Sequence, residues 1–320
     1  MPSLRDARVL VTGATGFIGA HLARRLLAEG AHVSAFRRVE SSTARRYPLL
    51  DQAESIDWRE VDLRTHSLVS KAVKAIRPDL VFHLASIGGT DPFLSADTAI
   101  RTNLYGTLHL LRAVDGKAPV IVTRTPGERD AMNVYTASKA AAWEFCRMYH
   151  RAYNWPIVGV MPFQTYGPGQ LPKALVPSAI TAALRGEDFP MTPGAQRRDW
   201  LYVDDVIEAY VRIGGLRLSA IRGNGNLQES YPALDGETIE VGSGQIVSVR
   251  EVVDCIYRIA GGLGKPLVGA LPARPGEVEC QMADAQRTTT LIDWRAGVTL
   301  EDGLRETIEW TRAWQNQPTS

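Results

Sequence analysis

Tyr135-Thr136-Ala137-Ser138-Lys139 puts a phenol and an ammonium four residues apart, which on a helix means one face and one turn of separation. A phenol with an ordinary pKa near 10 is a poor proton relay at neutral pH. Bringing it to about 7 asks for roughly 4 kcal/mol, which nearby cations in a dry site can supply. The chemistry indicated is proton transfer at an oxygen by a tyrosine tuned by its lysine. A hydroxyl to hold the reacting oxygen should leave the preceding strand, where Thr125 is the first choice and Thr123 the second. Such a pair also occurs on ordinary exposed helices, so the surroundings must carry the reading.

Pro119 to Thr125 reads as a strand, and a helix runs from Met132 to Tyr153. Ahead of them, the apolar run Val9-Leu10-Val11 breaks at Gly13, resumes as a helical pattern after Gly16 and stops at Gly30, a strand, tight turn and capped helix. Gly13 permits the turn, Gly16 lets a backbone approach a pyrophosphate, and Gly19 lets the helix lie close on its strand. The free N–H groups and positive dipole end of that helix suit phosphate. A second strand, His32 to Phe36, completes a dinucleotide-binding pattern.

In the form TGATGFIG, Thr12 to Gly19, this turn resembles the short-chain dehydrogenase/reductase superfamily, and its GFIG ending resembles the extended, sugar-nucleotide-modifying branch. His83-Leu84-Ala85-Ser86 resembles the family's HxAA, Asn103 to Thr107 its NxxGT, and Tyr135 to Lys139 its YxxxK, in the family's order. The resemblance covers nearly the whole chain. It implies an α/β fold, a Rossmann-type doubly wound parallel sheet with a smaller C-terminal substrate-binding lobe. The expected division is residues 1–162 plus 203–242 for the dinucleotide domain and 163–202 plus 243–320 for the sugar-nucleotide lobe.

It also implies roles. Gly13, Thr15, Gly16, Phe17, Ile18 and Gly19 should line the cofactor, Asp62 and Leu63 should meet adenine, and Leu84, Ala85 and Ser86 should line the nicotinamide side. Asn103 should brace the lysine, with Tyr135 and Lys139 serving both cofactor and chemistry, and Thr125 matches the Ser/Thr that bonds the substrate oxygen. His83, in an apolar strand, reads as a packed, hydrogen-bonded histidine. The second strand runs into Arg37-Arg38 where NAD-binding versions place a carboxylate for the ribose. A guanidinium grips a 2′-phosphate, so NADP(H) is favoured; Glu40 could still reach the ribose, which keeps NAD(H) as the alternative. Ser41 to Ala53 reads as a surface segment beside the adenosine.

Two departures matter. Where the family often reads SSxxVYG with a longer loop before the tyrosine, this chain has TRTPGERDAMNVY, and Tyr135 follows Thr125 by only ten positions. Dehydratases of the family resemble one another in an Asp-Glu pair directly after the threonine. Pro126-Gly127 stands there, with Glu128 out of register, so dehydration by that route is not expected.

Farther on, Pro162 to Gln170 resembles RxxNxYGPGQ, with Gln164 in the place of the Asn that contacts the nucleotide diphosphate. RRDWLYVDD resembles RDFxxVxD and puts Arg198 toward that diphosphate, the tandem acids Asp204-Asp205 capping the next helix; Arg274 of RPGE would be the second arginine. Leu216 to Ala233 reads as a long loop. Asp97 to Val114 reads as one helix with Thr98, Ile100, Leu104, Leu108, Leu111 and Val114 near one face; with the helix from Met132 it should pair two copies across a two-fold axis, as the family's homodimers do.

The chain has 320 residues, 45% hydrophobic and 22% charged, with net charge +1. Those values give no pull toward nucleic acid or membrane, and no apolar run approaches the ~18 residues of a span. MPSLRDAR lacks a signal-peptide core. Cys146, Cys255 and Cys280 form no framework, and no metal site is expected, so a cytoplasmic protein is the expectation. The activity expected is NADPH-dependent reduction of the C4 ketone of an NDP-4-keto-6-deoxyhexose. A sugar-nucleotide 4-epimerase is the alternative, and a non-catalytic dinucleotide-binding sensor is the reading from another class.

Overall fold

The computed structural model describes residues 3–38, 53–89, 91, 93–221, 234–273 and 276–315. They divide into two compact units, 1–162 with 207–241 and 287–294, and 163–206 with 242–286 and 295–320. Glu40 and residues 41–52 lie outside the described residues, as do 222–233 and Arg274.

In the first unit, short apolar runs form strands buried on both faces: β1 (Arg8–Thr12), β2 (His32–Arg37), β3 (Asp57–Glu60), β4 (Leu80–His83), β5 (Val120–Thr123) and β6 (Ile157–Pro162). With β10 (Thr238–Val241) they make a seven-stranded sheet in the order β10-β6-β5-β4-β1-β2-β3. Every neighbouring pair is parallel. The order reverses between β1 and β4, where Thr12 pairs with His83. In doubly wound sheets the crevice beyond the carboxyl ends of two such strands is where ligands bind, and both the Gly13 turn and the Leu84–Ser86 segment leave the sheet there.

Helix α1 (Phe17–Ala28) follows β1, and α2 (His66–Ile76) follows β3. On one side of the sheet Leu10, Val81, Val120 and Ile157 pack with Val69, Val73, Leu108, Leu111, Val114, Trp143 and Cys146. The expected 97–114 helix is in three pieces: α3 (Ala96–Ala99), a π-helical stretch Ile100–Tyr105, and α4 (Gly106–Val114). The wider π turn rotates the face, so Ile100 is exposed while Asn103 is 1% exposed. At Gly106 a Cβ would lie 3.1 Å from the Leu63 side chain, so the glycine allows a close approach there. Helix α5 (Val134–Tyr153) starts at Asn133, whose side chain accepts from Thr136 N at 2.9 Å.

Residues 287–294, expected in the second lobe, belong to the first unit: Arg287 pairs with Glu237, and the Thr288 hydroxyl donates to the Glu240 carbonyl at 2.8 Å. The second unit pairs β7 (Gln164–Tyr166) with β9 (Arg197–Tyr202), which also carries β11 (Ile246–Ser248) and β13 (Cys280–Gln281). A separate ribbon joins β8 (Phe189–Met191) to β12 (Pro266–Val268). The Asp199 carboxylate is fully buried and accepts from Ser243 N and Oγ at 2.7 Å each, Gly244 N at 2.9 Å and Ala283 N at 3.2 Å. Asp205, expected as a helix cap, instead accepts from Gly297 N and Val298 N at 3.0 Å. The loop expected from Leu216 begins later: helix α6 (Val203–Ile221) continues because Leu216 and Leu218 are buried.

Candidate active site

The glycine turn is as tight as its spacing requires. Gly13 has φ +79°, and a Cβ there would lie 2.6 Å from Ala85 N; a Cβ at Gly19 would collide with the Gly13 carbonyl. Gly16 is the N-cap of α1 and has no side chain with which to cap it. The first N–H groups of the helix are thus left for a ligand, an anion site by construction. Thr15, Phe17 and Ile18 are half-buried beside that turn. These residues fit a dinucleotide pyrophosphate.

His83 anchors a chain of hydrogen bonds. The Thr107 hydroxyl donates to the Asn103 carbonyl at 2.6 Å, so His83 Nε2 donates to Thr107 at 2.9 Å and its Nδ1 accepts from the Thr12 hydroxyl at 2.7 Å. Burial, with the Lys139 charge adding, pushes the imidazole down to about 3, which keeps it neutral. The Asn103 side chain accepts from Ile87 N and donates to the Ile87 carbonyl and to Ser138 Oγ at 2.9 Å, and Ser138 Oγ donates to the Tyr135 carbonyl at 2.8 Å. The π turn thus delivers Asn103 to the start of α5. Its side-chain bonds to Ile87 and Ser138 brace the start of that helix through the Tyr135 carbonyl.

Lys139 is 5% exposed, and its ammonium donates to the Thr123 carbonyl. Burial lowers its pKa, opposed by the Glu128 carboxylate. Tyr135 lies against the 86–89 segment: Ser86 hydrogen-bonds its hydroxyl, and a Cβ at Gly89 would stand 3.7 Å from its ring. Without a dinucleotide beside it, the phenol's pKa is not lowered. Burial raises it and the Glu128 carboxylate adds to that, against the Ser86 bond. In the protein alone the phenol is held protonated.

Of the two threonines, Thr123 is engaged: its hydroxyl meets the Tyr210 hydroxyl at 2.7 Å. The expected strand stops at Thr123, and Thr125 lies two residues beyond it as the N-cap of a 3-10 turn, Pro126–Glu128, with its N–H donating to Glu128 Oε1 at 2.9 Å. Glu128 Oε2 also accepts from Arg124 Nε at 2.8 Å. Tyr210 and Arg124 were not among the expected site residues. Tyr210 lies on a helix far along the chain, and nothing in its spacing points at Thr123.

At the end of β2, Arg37 lies 5.9 Å over the Trp58 ring and reaches Glu60 at 3.4 Å, while Arg38 is exposed and its charge helps to lower the Asp62 pKa. Asp62, expected at adenine, is gripped mainly by Arg64, whose Nε reaches it at 2.9 Å. In the second unit Gln164 is exposed on β7. Arg198 donates to the Arg197 carbonyl at 2.8 Å and pairs with Glu277 at 3.6 Å; burial lowers its pKa, opposed by Glu277.

A fold of this type with a turn of this build has known relatives. The family described as "NAD dependent epimerase/dehydratase family" matches residues 9–216. The chain belongs to that family. It is 28% identical over 334 residues to a UDP-glucose 4-epimerase of Mycolicibacterium smegmatis, covering 95% of this chain and 98% of the relative. To a probable dTDP-glucose 4,6-dehydratase of Sinorhizobium fredii it is 27% identical over 348 residues, covering 97% and 95%. A Bacillus cereus UDP-glucuronic acid 4-epimerase, solved with UDP-glucuronic acid and NAD, is 25% identical, with TM-score 0.80 over 96% of this chain and 99% of that one. The family is one of nicotinamide-dinucleotide enzymes, and this chain is an enzyme of that kind. No helix among the described residues is long and apolar enough to cross a membrane.

Proposed function

We propose that this enzyme uses NADPH to reduce the C4 ketone of an NDP-4-keto-6-deoxyhexose. The observation that carries the reading is the end of β2, where Arg37 and Arg38 replace the carboxylate that would hold a free ribose. The nucleotide-sugar class follows the relatives' named substrates, and we assign Arg198 and Gln164 of the second unit to its diphosphate. Arg274 would be the second arginine there.

When bound, a reduced nicotinamide supplies a hydride. Tyr135 gives its proton to the carbonyl oxygen, Thr125 holds that oxygen by a hydrogen bond, and Lys139 provides the nearby positive charge as negative charge develops. A phenol kept protonated by burial suits an acid. Elimination has no acid and base at Pro126-Gly127, and Glu128 next to them is buried and committed to Thr125 and Arg124. Large apolar side chains left exposed on the π stretch and α5, namely Ile100, Tyr105, Phe145 and Met148, support a homodimer through those helices. Three free thiols support a reducing, cytoplasmic setting.

The second reading is a 4-epimerase, favoured by the names of two of these relatives. The test is coenzyme consumption with dTDP-4-keto-6-deoxyglucose. NADPH should be oxidised far faster than NADH, and Arg38→Asp should weaken NADPH binding roughly tenfold to a hundredfold, the size of a lost charge-assisted bond, without weakening NADH. Conversion of UDP-glucose to UDP-galactose with no added coenzyme would instead establish the epimerase. Dinucleotide binding with neither activity would leave the sensor.

A further inference from the structure

We propose that the buried Arg124–Glu128 ion pair is a positioning device that fixes Thr125 against Tyr135, in place of the longer loop that this chain lacks. The inference rests on the reading of Thr125 and Tyr135 given above.

Both partners depart from the SSxxVYG pattern together. With Thr125 on the second serine, Arg124 falls on the first serine and Glu128 on the valine. The Glu128 side chain is 0% exposed and that of Arg124 14%. A buried pair is weak evidence of stabilisation, because desolvating two charges offsets most of their attraction. Its contacts show what else it does. Glu128 Oε1 accepts the Thr125 N–H, while Oε2 accepts from Arg124 Nε. Arg124 Nη1 donates to the Thr238 hydroxyl at 2.7 Å, its backbone N–H donates to the Val160 carbonyl at 2.7 Å, and its guanidinium lies 4.6 Å from the centre of the Trp143 ring.

Trp143 is one turn beyond Lys139 on α5, the helix that carries Tyr135. One carboxylate and one guanidinium therefore tie the Thr125 backbone to β6, to β10 and to the tyrosine's own helix. The sheet has made room for them. A Cβ at Gly159 in β6 would lie 2.9 Å from Arg124 Cδ and 2.8 Å from the Trp143 ring, which accounts for a glycine inside a central strand. Within the turn itself the Glu128 N–H also donates to the Thr125 carbonyl at 3.0 Å, and Arg129 pairs with Glu240. Misplacing a reacting group by about 1 Å costs on the order of a hundredfold in rate.

The test uses three variants of the whole chain, assayed with NADPH and dTDP-4-keto-6-deoxyglucose. Thr125→Ala measures what Thr125 contributes. Arg124→Met/Glu128→Val replaces the pair by apolar groups, and Glu128→Gln is the near-isosteric second variant, whose NH2 stands where one of the two carboxylate oxygens accepts. The expected result is a kcat roughly tenfold to a hundredfold lower for both pair variants, with KM and NADPH affinity little changed; Tm should stay near that of the wild type in Arg124→Met/Glu128→Val and fall in Glu128→Gln, where a buried guanidinium loses its partner. Adding Thr125→Ala to either should give little further loss. A purely structural role predicts a lower Tm with kcat intact. Pair variants that keep wild-type kcat while Thr125→Ala loses it overturn this proposal alone. A Thr125→Ala enzyme with unchanged kcat overturns the site reading as well.

Discussion

Acidification from pH 7 to pH 5 should destabilise the first unit by about 2 kcal/mol through His83 alone. The imidazole is buried with both nitrogens bonded, and its pKa falls from 6.5 to about 3 on folding. Because the folded value lies below the unfolded one, the unfolded chain binds the extra proton between those values. Stability is therefore complete above 6.5 and is lost as pH falls toward 3. At pH 5 the unfolded imidazole is almost fully protonated and the folded one is not, which gives the figure of about 2 kcal/mol; the whole interval corresponds to roughly 5 kcal/mol. The assay is denaturant or thermal unfolding at both pH values for the wild type and for His83→Gln, which keeps a donor and an acceptor but does not titrate. Comparing the two pH differences cancels the other titrating groups. The wild type should lose about 2 kcal/mol more than the variant, a shift in Tm of roughly 4–8 °C for a unit of this size. Equal losses would refute a neutral, doubly bonded His83.

Tyr135→Phe should lower kcat by roughly a hundredfold to ten-thousandfold, the usual contribution of a positioned acid, with dinucleotide still bound as read by fluorescence titration. Since burial raises the Tyr135 pKa from 10, wild-type reduction should keep its rate through neutrality and lose it only as pH rises through the phenol's value. In the second unit, Asp199→Asn puts an amide N–H₂ among four donors. It should cost about 3–5 kcal/mol, read as an earlier unfolding transition. Gly19→Ala should abolish dinucleotide binding or folding, because its Cβ has no space beside the Gly13 carbonyl.

The sheet was legible because its strands are unbroken apolar runs bounded by glycine and polar turns. Val9-Leu10-Val11, Val81-Phe82 and Ile157 to Met161 each have one way to bury both faces. Tyr135 and Lys139 were legible because helical spacing alone fixes which side chains share a face. The π turn was not, since one extra residue in a helix leaves no mark on composition or period, yet it turns Asn103 inward and Ile100 outward. Nor could spacing assign Asp205 to the Gly297–Val298 backbone, residues more than ninety positions away.

What the sequence by itself determined is therefore local: a tight glycine turn suited to a phosphate, a phenol and an ammonium one turn apart, and the strands that carry them. What only the tertiary structure decided is what surrounds those groups. It used Thr123 for Tyr210, left Thr125 to cap the turn after the strand, buried Glu128 against Arg124, and, with no dinucleotide beside it, pushed the phenol's pKa up by burial. The physical reason is that proton affinities and hydrogen-bond partners depend on burial and on charges brought from distant parts of the chain, whereas period and turn chemistry are properties of neighbours.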